Sequence, residues 1–393
     1  MISICDRTLS CLTPSRAQLP ALKRFLTLLI ETGVESIELS EAMYAALAPL
    51  PEHPAYVLRM NDATACARYP AIKHFVCAAD PLDREGCGGL KGVRTAQRVT
   101  QEQRADTKAS LSRLFAEPPS SDTRLSGLGF LATEDYLGFF GQLKAEFPQG
   151  IELCPTDETR CATALAVEWA LTCAGARLVG SFGGIGGFAP TEELIMCLRT
   201  QGLRQTSECH PQFPEMAALL QLVTGRETPP AKAVLGSRIF LVESGIHVDG
   251  IAKQPRCYEP FPPEEVGQKR TLLLGRQSGV GAVRMKLREQ GFRDDGPLTR
   301  LLCDQVRQIG AASNKPVADR EFFAMAHALG FSRLPQKTTS CHVPTASDGA
   351  SGQGLGASFG SSPELLAASS PAPSLNRDVN GPPGSTAPLQ PVT

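Results

Sequence analysis

From residue 1 to about residue 224, short apolar runs alternate with longer stretches of helical periodicity. That alternation is the mark of parallel β/α units, in which a crossover helix follows each strand. Seven strand candidates stand out, at residues 2–6, 36–40, 55–60, 74–79, 124–130, 151–155 and 177–182. Between the first two, Leu19, Leu22, Leu26 and Leu29 recur at spacings of three or four. This predicts a helix over residues 15–32, with Ser15 as its cap and Gly33 as a left-handed stop.

Eight β/α units close a barrel of about 250 residues. Seven strands in the first 224 residues therefore predict an α/β fold, a TIM-type (β/α) barrel that lacks or distorts one strand. The deficit is expected after Phe130, because only one helical stretch, residues 133–147, separates that strand from the one beginning at Ile151.

Residues 225–335 read as a linker and a small, mostly helical C-terminal subdomain. They have a Pro-rich entry at 228–232, a strand-like run at 237–242 and helical patterns through His327. From 336 to 393, Ser, Gly, Ala and Pro dominate and Phe359 is the only aromatic residue, a composition that predicts a disordered tail.

Composition narrows the function classes. The balance of 39 Lys and Arg against 40 Asp and Glu leaves a net charge of −1, so no basic footprint for nucleic acid or an anionic membrane surface is expected. Apolar runs such as residues 25–30 fall far short of the roughly 20 residues of a membrane helix. The amino terminus carries no basic segment leading into an apolar one, which predicts a cytoplasmic protein. None of the 13 cysteines forms a Cys-x-x-Cys pair, so free thiols are expected rather than a disulfide framework or a zinc knuckle.

The most specific signal lies after the barrel. The run Glu243-Ser-Gly-Ile-His-Val-Asp-Gly250 continues through Lys253, Pro255, Tyr258-Glu-Pro-Phe261, Pro263-Glu-Glu-Val-Gly267 and Leu274-Gly275-x-x-Ser278-Gly279. It resembles the segment that follows the barrel in homocitrate synthases and isopropylmalate synthases, with the nitrogen-fixation type of homocitrate synthase the nearest in pattern. Within the barrel, Asp6-Arg-Thr-Leu9 resembles the start of the family's first-strand motif D-T-T-L-R-D-G. Residues 36–39, 151–157 and 183–193 resemble its second strand and last two strands.

The resemblance implies a condensation of acetyl-CoA with a 2-oxo acid, whose carbonyl a divalent metal polarises at the carboxyl end of the barrel. It implies as ligands an acid after the first-strand arginine, an H-x-H pair and an asparagine near the last strand. Matched position by position, the arginine falls on Ser10, the acid on Cys11, the H-x-H pair on Cys154 and Thr156, and the asparagine on Thr191. The glutamate of the family's last loop becomes Gly187, and no two of the six histidines stand two apart. A substrate-facing turn that the family carries on its sixth strand has no recognised counterpart. What the resemblance retains is Glu38 on the second strand, and His247 and Tyr258, which match a histidine and a tyrosine that the family brings over a neighbouring subunit's barrel.

Other residues leave alternatives open. Gly183, Gly184, Gly186 and Gly187 suit either a backbone cradle for a phosphate such as the CoA pyrophosphate, or a close-packed turn. Cys11 and Cys154 suit either a soft-metal thiolate site or small buried hydrophobes. His247 suits a catalytic relic or a hydrogen-bonded structural residue, and Tyr258 suits chemistry or packing. Three functions follow: a condensing enzyme of the homocitrate synthase kind, a non-catalytic or regulatory paralogue, and an enzyme of altered chemistry using Asp157, Glu158 and Arg160. Without the family's ligands no resident cofactor is expected, and the chain is expected to form a homodimer or a heteromer with an intact family member.

Overall fold

The computed structural model describes residues 2–52, 55–61, 63–78, 97–116, 122–133, 136–147, 150–204 and 209–333; the stretch read from sequence as a disordered tail lies outside them. Eight parallel strands close a barrel in chain order: β1 (Ser3–Asp6), β2 (Ser36–Ser40), β3 (Tyr56–Met60), β4 (His74–Ala78), β5 (Arg98–Ala105), β6 (Thr123–Gly127), β7 (Glu152–Pro155) and β8 (Arg177–Gly180). Closure is made at β1, where Cys5 stands opposite Ser36 on one side and Val179 on the other.

The barrel is complete, which corrects the expected gap after Phe130. There β6 and β7 pair directly, with Leu125 opposite Leu153. The strand hidden from sequence is β5, whose residues Arg98-Val-Thr-Gln-Glu-Gln-Arg-Ala105 carry almost no apolar signal. Its side chains alternate as a strand requires, but Arg98, Thr100 and Glu102 turn inward onto polar partners while Val99 meets the outer apolar shell.

The same inversion holds around the barrel. Outward-facing Ile4, Ile37, Leu39, Leu58, Phe75, Leu125, Leu153 and Leu178 join one large core with the surrounding helices. That ring includes α1 (Leu19–Glu31), α2 (Glu41–Leu47), α3 (Lys108–Ala116), α4 (Tyr136–Glu146), α5 (Ala162–Thr172), α6 (Thr191–Thr200) and α7 (Phe213–Thr224). In α1 the predicted stripe is buried, with Leu22, Leu26 and Leu29 nearly inaccessible. Ser15 does not cap it: a 3-10 turn at Arg16–Gln18 intervenes and the Ser15 hydroxyl bonds the Gln18 side chain instead. Gly33 does adopt the left-handed stop, with φ +72°.

The region after the barrel has its own core. The strand-like run at 237–242 reduces to β9 (Leu241–Val242), paired in parallel with β10 (Thr271–Leu272). Around this pair lie α8 (Gly245–Lys253), α9 (Val280–Glu289), α10 (Gly296–Ser313) and α11 (Asp319–Ala328), packed through Leu274, Val283, Phe292, Leu302, Val306 and Phe322. Among the described residues no helix is long and apolar enough to cross a membrane.

Candidate functional site

The carboxyl ends of barrel strands are where this fold presents chemistry. Here that end holds charge paired against charge. Glu38, fully buried on β2, accepts hydrogen bonds from Arg59 at 2.7 Å and from Arg124, and lies 3.8 Å from Arg7. Glu102 on β5 faces Arg7 at 3.3 Å and also pairs with Arg59. Deeper in the barrel, Glu152 takes two hydrogen bonds from Arg124, at 2.9 and 3.0 Å. Burial alone would push the Glu38 carboxyl up, but Arg124, Arg59 and Arg7 outweigh it and hold the group well below the usual carboxylate range. Glu102 and Glu152 are lowered in the same way, against burial, chiefly by Arg59 and Arg124 respectively.

Arg7 is the central residue of this arrangement. It directly follows β1 and stands where the family motif has threonine. Its guanidinium lies 3.9 Å over the ring of Phe188 and donates to Cys154 Sγ at 3.2 Å. Phe188 belongs to the loop after β8 and closes over an interior cluster of Cys5, Val57, Val76, Cys154 and Val179. Burial pulls the Arg7 pKa down, yet Cys154, Glu38 and Glu102 raise it further, so the side chain stays charged.

The positions matched to the family's ligands are spread among other tasks. Asp6 is fully buried and accepts from the amides of Thr8 at 2.9 Å and Phe182 at 3.1 Å, and from the Thr191 hydroxyl at 2.5 Å. Burial raises its carboxyl, with those hydrogen bonds opposing. The Thr156 hydroxyl bonds the carbonyl of Gly127 and the carboxylate of Glu158, both at 3.2 Å. The Ser10 hydroxyl donates to Glu38 at 2.8 Å. Burial raises the thiols of Cys11 and Cys154, and Arg7 opposes this in both. Among the described residues, no three His, Cys, Asp or Glu side chains are grouped to hold a metal.

The glycine loop after β8 is a turn that favours glycine, with Gly183, Gly184, Gly186 and Gly187 all at φ between +67° and +79°. Its amides face inward. Gly183 N–H donates to Glu192 at 2.8 Å, Gly184 to Ser181, Ile185 to Phe182 and Gly187 to Gly184. At Gly186 the loop also passes so close to Cys11 Sγ that a side chain would collide. Beside it opens a cleft of about 790 Å³, lined by Asp157, Glu158, Arg160, Glu193 and Lys232 together with the loop itself.

His247 and Tyr258 are brought together, with ring centroids 5.7 Å apart, on an exposed face of α8 and the turn after it. Tyr258 is 45% exposed and neighbouring Ile246 79% exposed, so this face projects an apolar edge into solvent. Other motif residues in this region hold the chain together. Glu259 forms a two-point ion pair with Arg270, both contacts 2.7 Å. Ser278 closes the Gly275 turn through its hydroxyl. Gly267, at φ +70°, lets residues 263–267 close on Pro211 beside the barrel, where Glu265 pairs with Arg199 at 2.8 Å.

Sequence reasoning found Glu38 but missed Arg7, Arg59, Glu102, Arg124 and Glu152. The available signal was charge at alternate strand positions, as in Arg98-x-Thr100-x-Glu102, where a barrel interior would ordinarily be apolar.

Comparison with known proteins bears on the same two regions. Residues 234–314 match the domain described as homocitrate synthase post-HMGL domain-like. A 2-isopropylmalate synthase of Caldanaerobacter subterraneus subsp. tengcongensis is 37% identical over 152 residues, covering 38% of this chain and 40% of that protein. A homocitrate synthase of Frankia alni is 32% identical, covering 55% of this chain and 61% of its own length. The homocitrate synthase omega subunit of Clostridium pasteurianum is 24% identical over 314 residues, covering 77% of this chain and 88% of that one. The chain thus spans less than half of the isopropylmalate synthase and about three fifths of the Frankia alni protein. On the post-barrel motif, the matched domain and these relatives, the chain is similar to homocitrate synthases and isopropylmalate synthases, with residues 234–314 carrying the domain match.

Proposed function

We propose that this chain is a homocitrate synthase-like protein that does not run the acetyl-CoA condensation alone and acts as the non-catalytic partner of an intact family member or of a second copy of itself. The observation that carries the reading is the Arg7 guanidinium, 3.2 Å from the Cys154 sulfur at the position matched to a family histidine ligand. A permanent cation there repels a divalent metal, and the remaining matched donors are thiols and hydroxyls with other bonds to make. Hard divalent ions need about six oxygen or nitrogen ligands, so these residues do not fit the family's metal.

The purified chain is expected to release no free CoA from acetyl-CoA and 2-oxoglutarate, with or without manganese. Cys11→Asp alone is expected not to rescue it, because Arg7 and the other replaced ligands remain. Steady metal-dependent CoA release by the unmodified chain overturns the reading. For the partner, support comes from the exposed His247 and Tyr258 face and from a relative whose name makes it one subunit of a synthase. Sedimentation is expected to show association of the chain with itself or with an intact homologue; a monomer in both cases removes the partner role. The reading of altered chemistry has one observation in its favour, that Asp157, Glu158 and Arg160 all line the cleft. Saturable binding of a small molecule there, lost in Arg160→Gln, would favour it.

A further inference from the structure

A single chain of ion pairs runs through the barrel from one end to the other. Glu102 and Glu38 hold Arg7 and Arg59 near the carboxyl end. Arg124 links Glu38 to Glu152, Arg98 links Glu152 to Asp122, and Arg177 reaches Asp122 at the amino end. Counted along this chain, the guanidiniums are Arg7, Arg59, Arg98, Arg124 and Arg177, and the carboxylates are Glu38, Glu102, Glu152 and Asp122. Among the described residues, one positive charge is left over.

The geometry says where that charge resides. Each of the other arginines lies within reach of two carboxylates. Among the described residues, Arg177 reaches only Asp122 within ion-pair distance, at 3.9 Å, and that carboxylate is already bonded to Arg98 Nε at 2.5 Å. The other bond of Arg177 is to the Gly150 carbonyl, which supplies no charge. His74, which faces the same Glu152, adds none at neutral pH: burial, aided by Arg98 and Arg124, pushes its pKa down to about 4. Burial and the nearby Arg98 likewise pull the Arg177 pKa below its usual value, with Glu152 and Asp122 opposing. Solvent reaches the pair, since the side chains of Arg98 and Arg177 are 35% and 24% exposed.

We propose that the amino end of the barrel binds a small oxyanion, a phosphate or a carboxylate, between Arg98 at the start of β5 and Arg177 at the start of β8. Guanidinium groups present planar forks matched to such oxygens. Bound there, the anion balances the ion-pair chain and braces the first residues of β5 and β8 across β6 and β7. The site is at the opposite end of the barrel from the carboxyl-end residues discussed above, so it stands or falls separately from the proposed function.

The test is thermal unfolding and isothermal titration of the full chain at neutral pH with sodium phosphate, sodium acetate and sodium chloride at matched ionic strength. Saturable stabilisation by phosphate or acetate beyond that of chloride is expected, and the stronger of the two identifies the class of oxyanion. Arg177→Gln is expected to abolish the increment. Asp122→Asn removes the internal carboxylate that competes for both arginines and is expected to tighten binding roughly tenfold, a modest return for one like charge at contact distance. This second variant keeps the test valid if Arg177→Gln fails to fold. Equal effects of the three salts, an increment that survives Arg177→Gln, or no tightening in Asp122→Asn overturns the proposal.

Discussion

After the barrel, the residues that match the family motif hold the chain together: Glu259 clasps Arg270, Ser278 closes a turn, and Gly267 lets the segment close on Pro211. Inside the barrel, the matched positions have been given to other side chains, and the space is taken by Arg7, Glu38, Glu102 and Phe188. The first region keeps its residues because its packing depends on them. In the second, the positions that the resemblance matches to ligands stand beside a network of ion pairs. A scaffold and the chemistry mounted on it can therefore diverge within one chain, and likeness in the first says little about the second.

The comparison can be broken most directly at Glu38. Removing one carboxylate that faces three guanidiniums leaves buried charge uncompensated, and breaking a buried pair in this way typically costs about 3–5 kcal/mol. Glu38→Ala is expected to lose stability on that scale in denaturant titration, while the post-barrel core unfolds little changed if the regions respond separately. A wild-type midpoint in the variant would mean that the network is ornamental.

Acid is expected to act next. His210 is buried and His74 half-buried, and desolvation pushes both pKa values down to about 4 against an ordinary 6.5. The folded chain thus binds fewer protons than the unfolded one between those values, so stability is full above pH 6.5 and falls as pH drops toward 4. Each histidine contributes a slope of up to about 1.4 kcal/mol per pH unit. Below about 4.5, the ordinary glutamate value, the depressed carboxyls of Glu38, Glu102 and Glu152 add further loss. Asp6 and Glu192, raised by burial, work in the opposite sense. Unfolding temperatures measured from pH 7.5 to 4 should show this limb, and His74→Gln with His210→Gln should flatten its upper part.

The smallest effect on stability is expected at Gly250, where a side chain would meet the Tyr258 ring. Tyr258 is exposed enough to swing aside, and alanine is the better helix former, so Gly250→Ala should change stability by no more than about 1 kcal/mol. It should separate Tyr258 from His247 and weaken association measured by sedimentation. Unchanged association would detach this face from the proposed pairing.

Much of this was legible in the chain. All seven strand candidates are strands, because each sends apolar residues such as Ile37, Phe75 and Leu178 into the outer core. The eighth was not, since in β5 the inward positions are charged or polar and two of the four outward ones are Gln. The network was hidden for a different reason. Arg124 and Glu38 are 86 residues apart, Arg7 and Glu102 are 95 apart, and nothing local announces that each will be buried against the other. The wrong placement of the gap followed from the same polar strand: once β5 is missed, the short interval after Phe130 looks like the deficit.

A barrel lined by ion pairs also constrains how it can close. Glu38 binds side chains following β1, on β3 and on β6, and Glu152 binds β6 and β5. Side chains alternate faces along a strand, so a one-residue slip of β6 would carry Arg124 into the apolar outer shell and strand two carboxylates inside. An oily interior would tolerate that error, because most hydrophobes substitute for one another. Here the misregistered barrel is penalised at both faces, and the charges work as a proofreading device on strand alignment.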